Sequence, residues 1–164
     1  MYELSRVRLH SVGPKAARYQ DVTLDLRGVG APVTGPAQPS FFDDGRAPLR
    51  PSPASVLFAE NGNGKSVLIK LIFSVMLPGK RQVVGTTNSR ALENFVLAGD
   101  VSHVVLEWQH TVTGEVVVTG KVAAWRGHAV SSDPTRLVET WYSFRPTDTL
   151  SLDTLPFTQD GRLV

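Results

Sequence analysis

The eight residues from Ala59 to Ser66 have the order of a phosphate-binding loop: a small residue, four variable positions, then Gly64-Lys65-Ser66. Gly62 and Gly64 let the backbone turn tightly, so that several N–H groups face one point. In such a loop the lysine ammonium lies on the β- and γ-phosphates of a nucleotide, and the serine hydroxyl ligates Mg²⁺. This order of residues predicts a site for ATP with Mg²⁺, and Ser66 is the expected metal ligand. The residues expected to contact the nucleotide are Asn61, Gly62, Asn63, Gly64, Lys65 and Ser66.

The residues on both sides of this Walker A pattern favour binding over the alternative, a glycine-rich turn that binds nothing. Ala59 replaces the usual first glycine, but that position needs only a small side chain. Val56 to Ala59 is a short apolar run, which predicts a strand buried on both faces. From Lys65 to Leu77 apolar residues recur at helical spacing and fill most of the circumference, which predicts a helix buried nearly all round.

Alternating apolar and polar residues predict strands elsewhere in the chain. The predicted strands are Leu4 to Val12, Val22 to Leu26, a hairpin of Val101 to Thr111 with Glu115 to Trp125, and Thr140 to Arg145. Ser89 is placed to cap a second, short helix that runs to Leu97.

Residues 28–53 differ in composition from the rest of the chain. Six prolines lie in this stretch, and proline lacks the N–H group that a strand ladder needs. The composition predicts a long loop, with Phe41-Phe42 as its apolar cluster. No functional residue is predicted within it.

The overall composition is that of one globular domain. The chain has 164 residues, 41% of them hydrophobic and 20% charged, and a formal net charge of +2. That charge is too small to predict nucleic-acid binding from composition alone. Cysteine is absent, the first residues do not form a signal peptide, and no apolar run is long enough to span a bilayer, so we expect a cytoplasmic protein.

Three segments carry a resemblance to a known family. Glu60 to Ser66 is similar to the Walker A motif of the ABC-type ATPase heads of the SMC, RecF and RecN group, which reads Pro/Glu-Asn-Gly-x-Gly-Lys-Ser. The two N-terminal strands with Arg18-Tyr19 between them resemble the start of those heads. Arg90 to Gly99, followed by Val104 to Glu107, is similar in spacing to the segment that precedes their β-hairpin.

The resemblance implies a fold and a division of the chain. It implies an α/β P-loop NTPase fold, an ABC/SMC-type head lobe with an antiparallel β-layer and a buried Walker A helix. Residues 1–164 would form the N-terminal lobe of the head, with 28–53 as a loop insertion. Arg90 would be a catalytic candidate directed at nucleotide or DNA, and the alternative is a solvated helix residue. Gln159 is considered for the family's glutamine loop, but nothing around it supports that role.

Two motifs that such a head needs for hydrolysis are not found in the sequence: a Walker B strand ending in Asp-Glu, and a Leu-Ser-Gly-Gly-like signature. Glu107, after Val104-Val105-Leu106, is the nearest match to Walker B, but the preceding aspartate is missing. The resemblance therefore implies a fragment of a longer ATPase. Its partners would be the C-terminal half of the head, a second head that joins on ATP binding, and DNA, in repair, chromosome segregation or defence, with no membrane involved.

Two other interpretations stay open. A self-contained P-loop GTPase or small-molecule kinase is the first, although no Asn/Thr-Lys-x-Asp motif for guanine and no arginine-rich lid are found. A non-enzymatic module that uses the nucleotide as a structural ligand is the second. The sequence does not distinguish between the DNA processes.

Overall fold

The computed structural model describes residues 1–28, 49–52, 54–56, 58, 64–79, 92–159 and 162–163. These residues form nine strands, one α-helix and three short 3₁₀ turns. The strands are β1 (Tyr2–Val12), β2 (Tyr19–Asp25), β3 (Arg27–Gly28), β4 (Arg50–Pro51), β5 (Val101–His110), β6 (Val116–Trp125), β7 (Leu137–Phe144), β8 (Thr158–Gln159) and β9 (Arg162–Leu163). The helix is α1 (Lys65–Met76), and the 3₁₀ turns are Leu92–Phe95, Arg126–His128 and Pro134–Arg136.

A five-stranded sheet in the order β2-β1-β5-β6-β7 is the main structural element of the described chain, and all four of its pairings are antiparallel. β1 lies between β2 and β5, with Leu9 opposite Val22 on one side and Val104 on the other. Two short antiparallel pairs, β3 with β4 and β8 with β9, stand apart from this sheet.

Both faces of the central strands are covered, so the adjacent apolar residues Val104, Val105 and Leu106 of β5 are all buried. Leu106 belongs to the cluster that packs on Leu68, Leu71 and Phe95. Its neighbour Val105 points to the opposite face, where it packs with Val118, Leu152 and Phe157. The chain after β7 therefore folds back over the second face of the sheet.

One side of α1 packs against the sheet. Leu68, Leu71, Ser74 and Val75 are buried, and the Trp141 Nε1–H of β7 donates a hydrogen bond to the Ser74 carbonyl at 3.2 Å. The other side is open, with Ile69 52% exposed and Met76 48% exposed. The prediction of a helix buried nearly all round is therefore wrong, since the sheet offers α1 a single surface.

The predicted α/β P-loop NTPase fold, an ABC/SMC-type head lobe with a buried Walker A helix, is also wrong for this chain. The described residues form a mostly antiparallel five-stranded sheet with a single α-helix. The predicted buried strand at 56–59 is not formed: residues 54–56 and 58 have no regular secondary structure, and Val56 and Phe58 are each 93% exposed. Apolar content alone therefore indicated burial that no neighbouring element in the described residues provides.

The other predicted strands are present in the structure. The two N-terminal strands, the hairpin and the strand at 140–145 are confirmed as β1, β2, β5–β6 and β7, with ends shifted by a few residues. The predicted second helix is the single 3₁₀ turn Leu92–Phe95, and its predicted cap, Ser89, lies outside the described residues. Of the predicted loop, 29–48 and 53 lie outside the described residues, including Phe41-Phe42, whereas Gly28 and Arg50 pair in β3 and β4.

Two arginines of β1 hold the returning segment on the sheet. The Arg8 guanidinium donates to the carbonyl oxygens of Leu152 and Asp153, at 2.8 and 2.9 Å. Arg6 donates to the Asp153 carboxylate at 2.7 and 2.9 Å. Arg8 also lies 4.4 Å from the centroid of the Phe157 ring, so the cover is fixed by charge as well as by apolar contact.

Protonation of His10 should weaken the folded state. His10 stacks on Phe157 with ring centroids 4.4 Å apart, and both of its ring nitrogens are buried without a hydrogen-bond partner in the described part of the chain. Desolvation lowers the pKa of His10 below its ordinary 6.5, although nearby Asp21 opposes this shift. The unfolded chain therefore binds this proton more readily, and stability should fall as the pH drops below about 6.5.

Urea unfolding at pH 7.5 and pH 5 measures this loss. His10→Gln should lose less stability between the two pH values than the wild type, and His128→Gln, at an exposed position, should match the wild type. An equal loss in all three proteins would contradict the role of His10.

Candidate functional site

Gly64, Lys65 and Ser66 lie together at the N-terminus of α1. Gly64 is the N-cap residue and adopts a left-handed backbone, with φ 79° and ψ 8°. A residue with a side chain is strained in this conformation, so glycine is required here. The motif therefore places its last glycine where the chain turns into the helix.

The first turn of α1 is open to an anion. Its first N–H groups have no partner within the helix, the N-cap residue Gly64 has no side chain to cap them, and the first turn contains no acidic residue. These groups carry the positive end of the helix dipole. Lys65 is half-buried and Ser66 is exposed, so both side chains border the solvent at this end of the helix.

The remaining predicted contacts fall on residues that the structure leaves undescribed. Asn61, Gly62 and Asn63 lie outside the described residues, and so does Arg90. Of the predicted site, the structure therefore brings together Gly64, Lys65 and Ser66. Gln159 lies in β8, and its side chain is not among those described.

The contact between Tyr19, the first residue of β2, and Gly64 was not predicted from the sequence. The Tyr19 hydroxyl donates a hydrogen bond to the Gly64 carbonyl at 3.2 Å. A Cβ built on Gly64 would lie 2.8 Å from the Tyr19 hydroxyl oxygen and 3.6 Å from the Ala17 Cβ. The sequence signal for this contact was the pair Arg18-Tyr19. The resemblance to the SMC-type heads included this pair but gave it no role.

Arg18 fixes this turn from the other side. Its guanidinium donates to the carbonyl oxygens of Ser11 and Gly13, at 2.8 and 3.2 Å, and forms an ion pair with Asp100. The Gly13 N–H donates to the Phe95 carbonyl at 2.9 Å. The turn is thus held between the 95–100 segment and the N-terminus of α1.

Glu107 has a structural role on the opposite face of the sheet. It is 4% exposed, and its carboxylate accepts hydrogen bonds from the Ser5 hydroxyl at 2.7 Å and from Arg6 Nε at 2.8 Å. The bond to Glu107 is the main cause that raises the pKa of Arg6. Because strand neighbours alternate between faces, Glu107 points away from Leu106 and α1. It is therefore not placed to act on a ligand at Lys65.

The described residues provide no ready-made metal cage. Within them, no group of three or more His, Cys, Asp or Glu side chains converges on one point. The Ser66 hydroxyl fits the role of a single Mg²⁺ ligand, since Mg²⁺ bound to a nucleotide takes its other oxygens from phosphate and water.

No helix in the described ranges is long and apolar enough to cross a membrane. No protein-family model, curated protein or solved structure matches this chain. The geometry at the start of α1 is therefore the basis for assigning a function.

Proposed function

We propose that the chain binds ATP with Mg²⁺ through the loop 59–66, at the N-terminus of α1. The observation that carries this proposal is the left-handed Gly64, which caps a twelve-residue helix and is followed directly by Lys65 and Ser66. Binding of this kind uses backbone N–H groups, the helix terminus and one lysine, none of which depends on the strand order of the sheet.

The described residues have the chemistry to bind ATP in its ground state, but not the chemistry to catalyse its hydrolysis. Lys65 neutralises phosphate charge, and Ser66 contributes one oxygen to the metal. Hydrolysis also needs a residue that orients water, and Glu107 is bonded to Ser5 and Arg6 on the other face. The chain should therefore bind ATP with little or no turnover.

Titration with a fluorescent ATP analogue, with and without Mg²⁺, tests the binding, and a phosphate-release assay tests the turnover. We expect saturable, Mg²⁺-dependent binding and no phosphate release above the background of heat-denatured protein. Absence of binding would overturn the proposal. Turnover that is lost on replacement of Lys65 would favour the self-contained P-loop enzyme instead.

We also propose a protein partner for the open side of α1. Ile69, Phe73 and Met76 are at least 37% exposed, and Val56 and Phe58 are 93% exposed. Ile69, Phe73 and Met76 recur at helical spacing along one side of α1, and an exposed apolar patch of this kind marks interaction sites. From the resemblance of Glu60 to Ser66 alone, and not from the fold, the partner we propose is the C-terminal half of an SMC-like ATPase, which would supply the Walker B and signature residues in the cytoplasm, with a second head and DNA engaged by the complete protein.

Adding the C-terminal half of an SMC-like ATPase in trans tests this partner. We expect it to protect Met76 from oxidation and to produce ATP turnover. Unchanged reactivity of Met76 would contradict the proposed contact, and a protein that binds ATP but gains no turnover would favour the non-enzymatic module.

A further inference from the structure

Tyr19 of β2 reaches the loop through its hydroxyl group. The ring packs against the cluster that includes Leu9 and Leu68, so its position is set by the core and not by solvent. Burial raises the pKa of Tyr19, so the hydroxyl keeps its proton at neutral pH and acts as a donor. The acceptor is the carbonyl oxygen of Gly64, at 3.2 Å.

The Gly64 carbonyl also accepts the first intrahelical hydrogen bond of α1, from the Leu68 N–H at 2.8 Å. One peptide group therefore joins the helix, the loop and β2. This same group carries the N–H of Lys65, which lies at the point where the phosphates are expected. A restraint on the Gly64 carbonyl thus restrains the direction of that N–H, because the peptide unit is planar.

The Tyr19 hydroxyl also lies where a side chain of residue 64 would be. A Cβ at Gly64 would lie 2.8 Å from the hydroxyl oxygen. Tyr19 can therefore occupy this position only because residue 64 is a glycine. The turn that precedes Tyr19 is fastened by Arg18, which binds Ser11, Gly13 and Asp100. These bonds hold the start of β2, and with it Tyr19, beside Gly64.

We infer that Tyr19 is a positioning residue for the phosphate loop, which orients the Gly64–Lys65 peptide towards the phosphates of ATP. This inference rests on the function proposed above. Tyr19 does not touch the nucleotide in this role. Its removal should lower affinity by the worth of one neutral hydrogen bond, roughly 2- to 12-fold.

Tyr19→Phe keeps the ring and removes only the hydroxyl. We expect its dissociation constant for the fluorescent ATP analogue to rise several-fold, while its thermal midpoint stays within a few degrees of the wild type. Tyr2→Phe is the matched control: it also loses one hydroxyl from a strand, one that bonds Glu115 at an exposed site, and it should bind like the wild type. If Tyr19 had a purely structural role, Tyr19→Phe would lower the thermal midpoint, and the affinity measured at temperatures well below that midpoint would be unchanged.

A double-mutant cycle with Gly64→Ala gives a second readout. Gly64→Ala should weaken binding strongly, because the methyl group meets the tyrosine oxygen and the backbone is strained. In the Tyr19→Phe background the clash is removed and the strain remains, so the further loss should be smaller. If Tyr19→Phe binds the ATP analogue as tightly as the wild type does, or if the two substitutions have additive effects on affinity, then Tyr19 has no positioning role. Either result would leave the proposed ATP binding itself standing. Absence of wild-type binding would overturn the proposed function and this inference with it.

Discussion

Replacing Lys65 by alanine should abolish measurable Mg²⁺-dependent binding of ATP. In the proposed site Lys65 makes charge-assisted contacts with two phosphates at the N-terminus of α1. Each such contact contributes about 1.5–3 kcal/mol, so the loss should be at least 10-fold and closer to 1,000-fold if both contacts are lost. A fluorescent ATP analogue titrated against the wild type and Lys65→Ala measures this difference.

Lys70→Ala is the matched control for this experiment. Lys70 also lies on α1, is also half-buried and carries the same charge, but it lies in the second turn of the helix and not at its N-terminus. The control should bind with wild-type affinity, and both variants should keep the circular dichroism of the wild type. Equal affinity of Lys65→Ala and the wild type would remove the basis for a phosphate site.

Replacing Glu107 by alanine should destabilise the fold by about 3 kcal/mol, because it leaves the Arg6 guanidinium without its buried partner. The Glu107 carboxylate is 5% exposed and Arg6 is 14% exposed, so solvent replaces little of the lost interaction. Ser5, which is fully buried, loses a hydrogen bond to the same carboxylate. Urea unfolding at neutral pH measures the change in free energy.

Asp153→Ala is the control that distinguishes the effect of losing a buried carboxylate from that of losing any carboxylate beside Arg6. Asp153 pairs with the same arginine, but its side chain is 58% exposed, so its loss should cost less than about 1 kcal/mol. Equal costs for the two variants would contradict the structural role of Glu107. ATP affinity should be unchanged in both, since neither residue lies at α1.

The strands were predictable because their signal is local. Val22, Leu24 and the polar residues between them alternate with a period of two on β2, and the turn at Gly114 separates β5 from β6 along the chain. The Walker A pattern of Gly64, Lys65 and Ser66 is equally local, and nucleotide binding there stays a prediction. The contact of Gly64 with Tyr19 was not predicted, because it joins residues that are 45 positions apart.

The prediction of the fold class was wrong because it inferred the burial of residues from their apolar character. The apolar residues of α1 surround the helix, but sequence does not state how many surfaces will meet it, and Ile69 and Met76 stay exposed. Conversely, Lys121 and Glu139 look like solvent-facing residues of strands, yet they form a buried ion pair with side chains 6% exposed. Polarity fails to predict exposure where a side chain of opposite charge lies within reach on the neighbouring strand, as Glu139 of β7 does for Lys121 of β6.

The position of β1 between β2 and β5 has a consequence for how the chain reaches this state. His10 pairs with Asp21, about 10 residues away, and with His103, about 90 residues away. Loop-closure entropy grows as the logarithm of loop length, so the second pairing costs about 2 kcal/mol more to close. β5, β6 and β7 can form as a local meander, and β1 with β2 as a local hairpin. Joining the two along β1 and β5 is the non-local step, and the completed sheet depends on contacts between residues that are synthesised far apart in time.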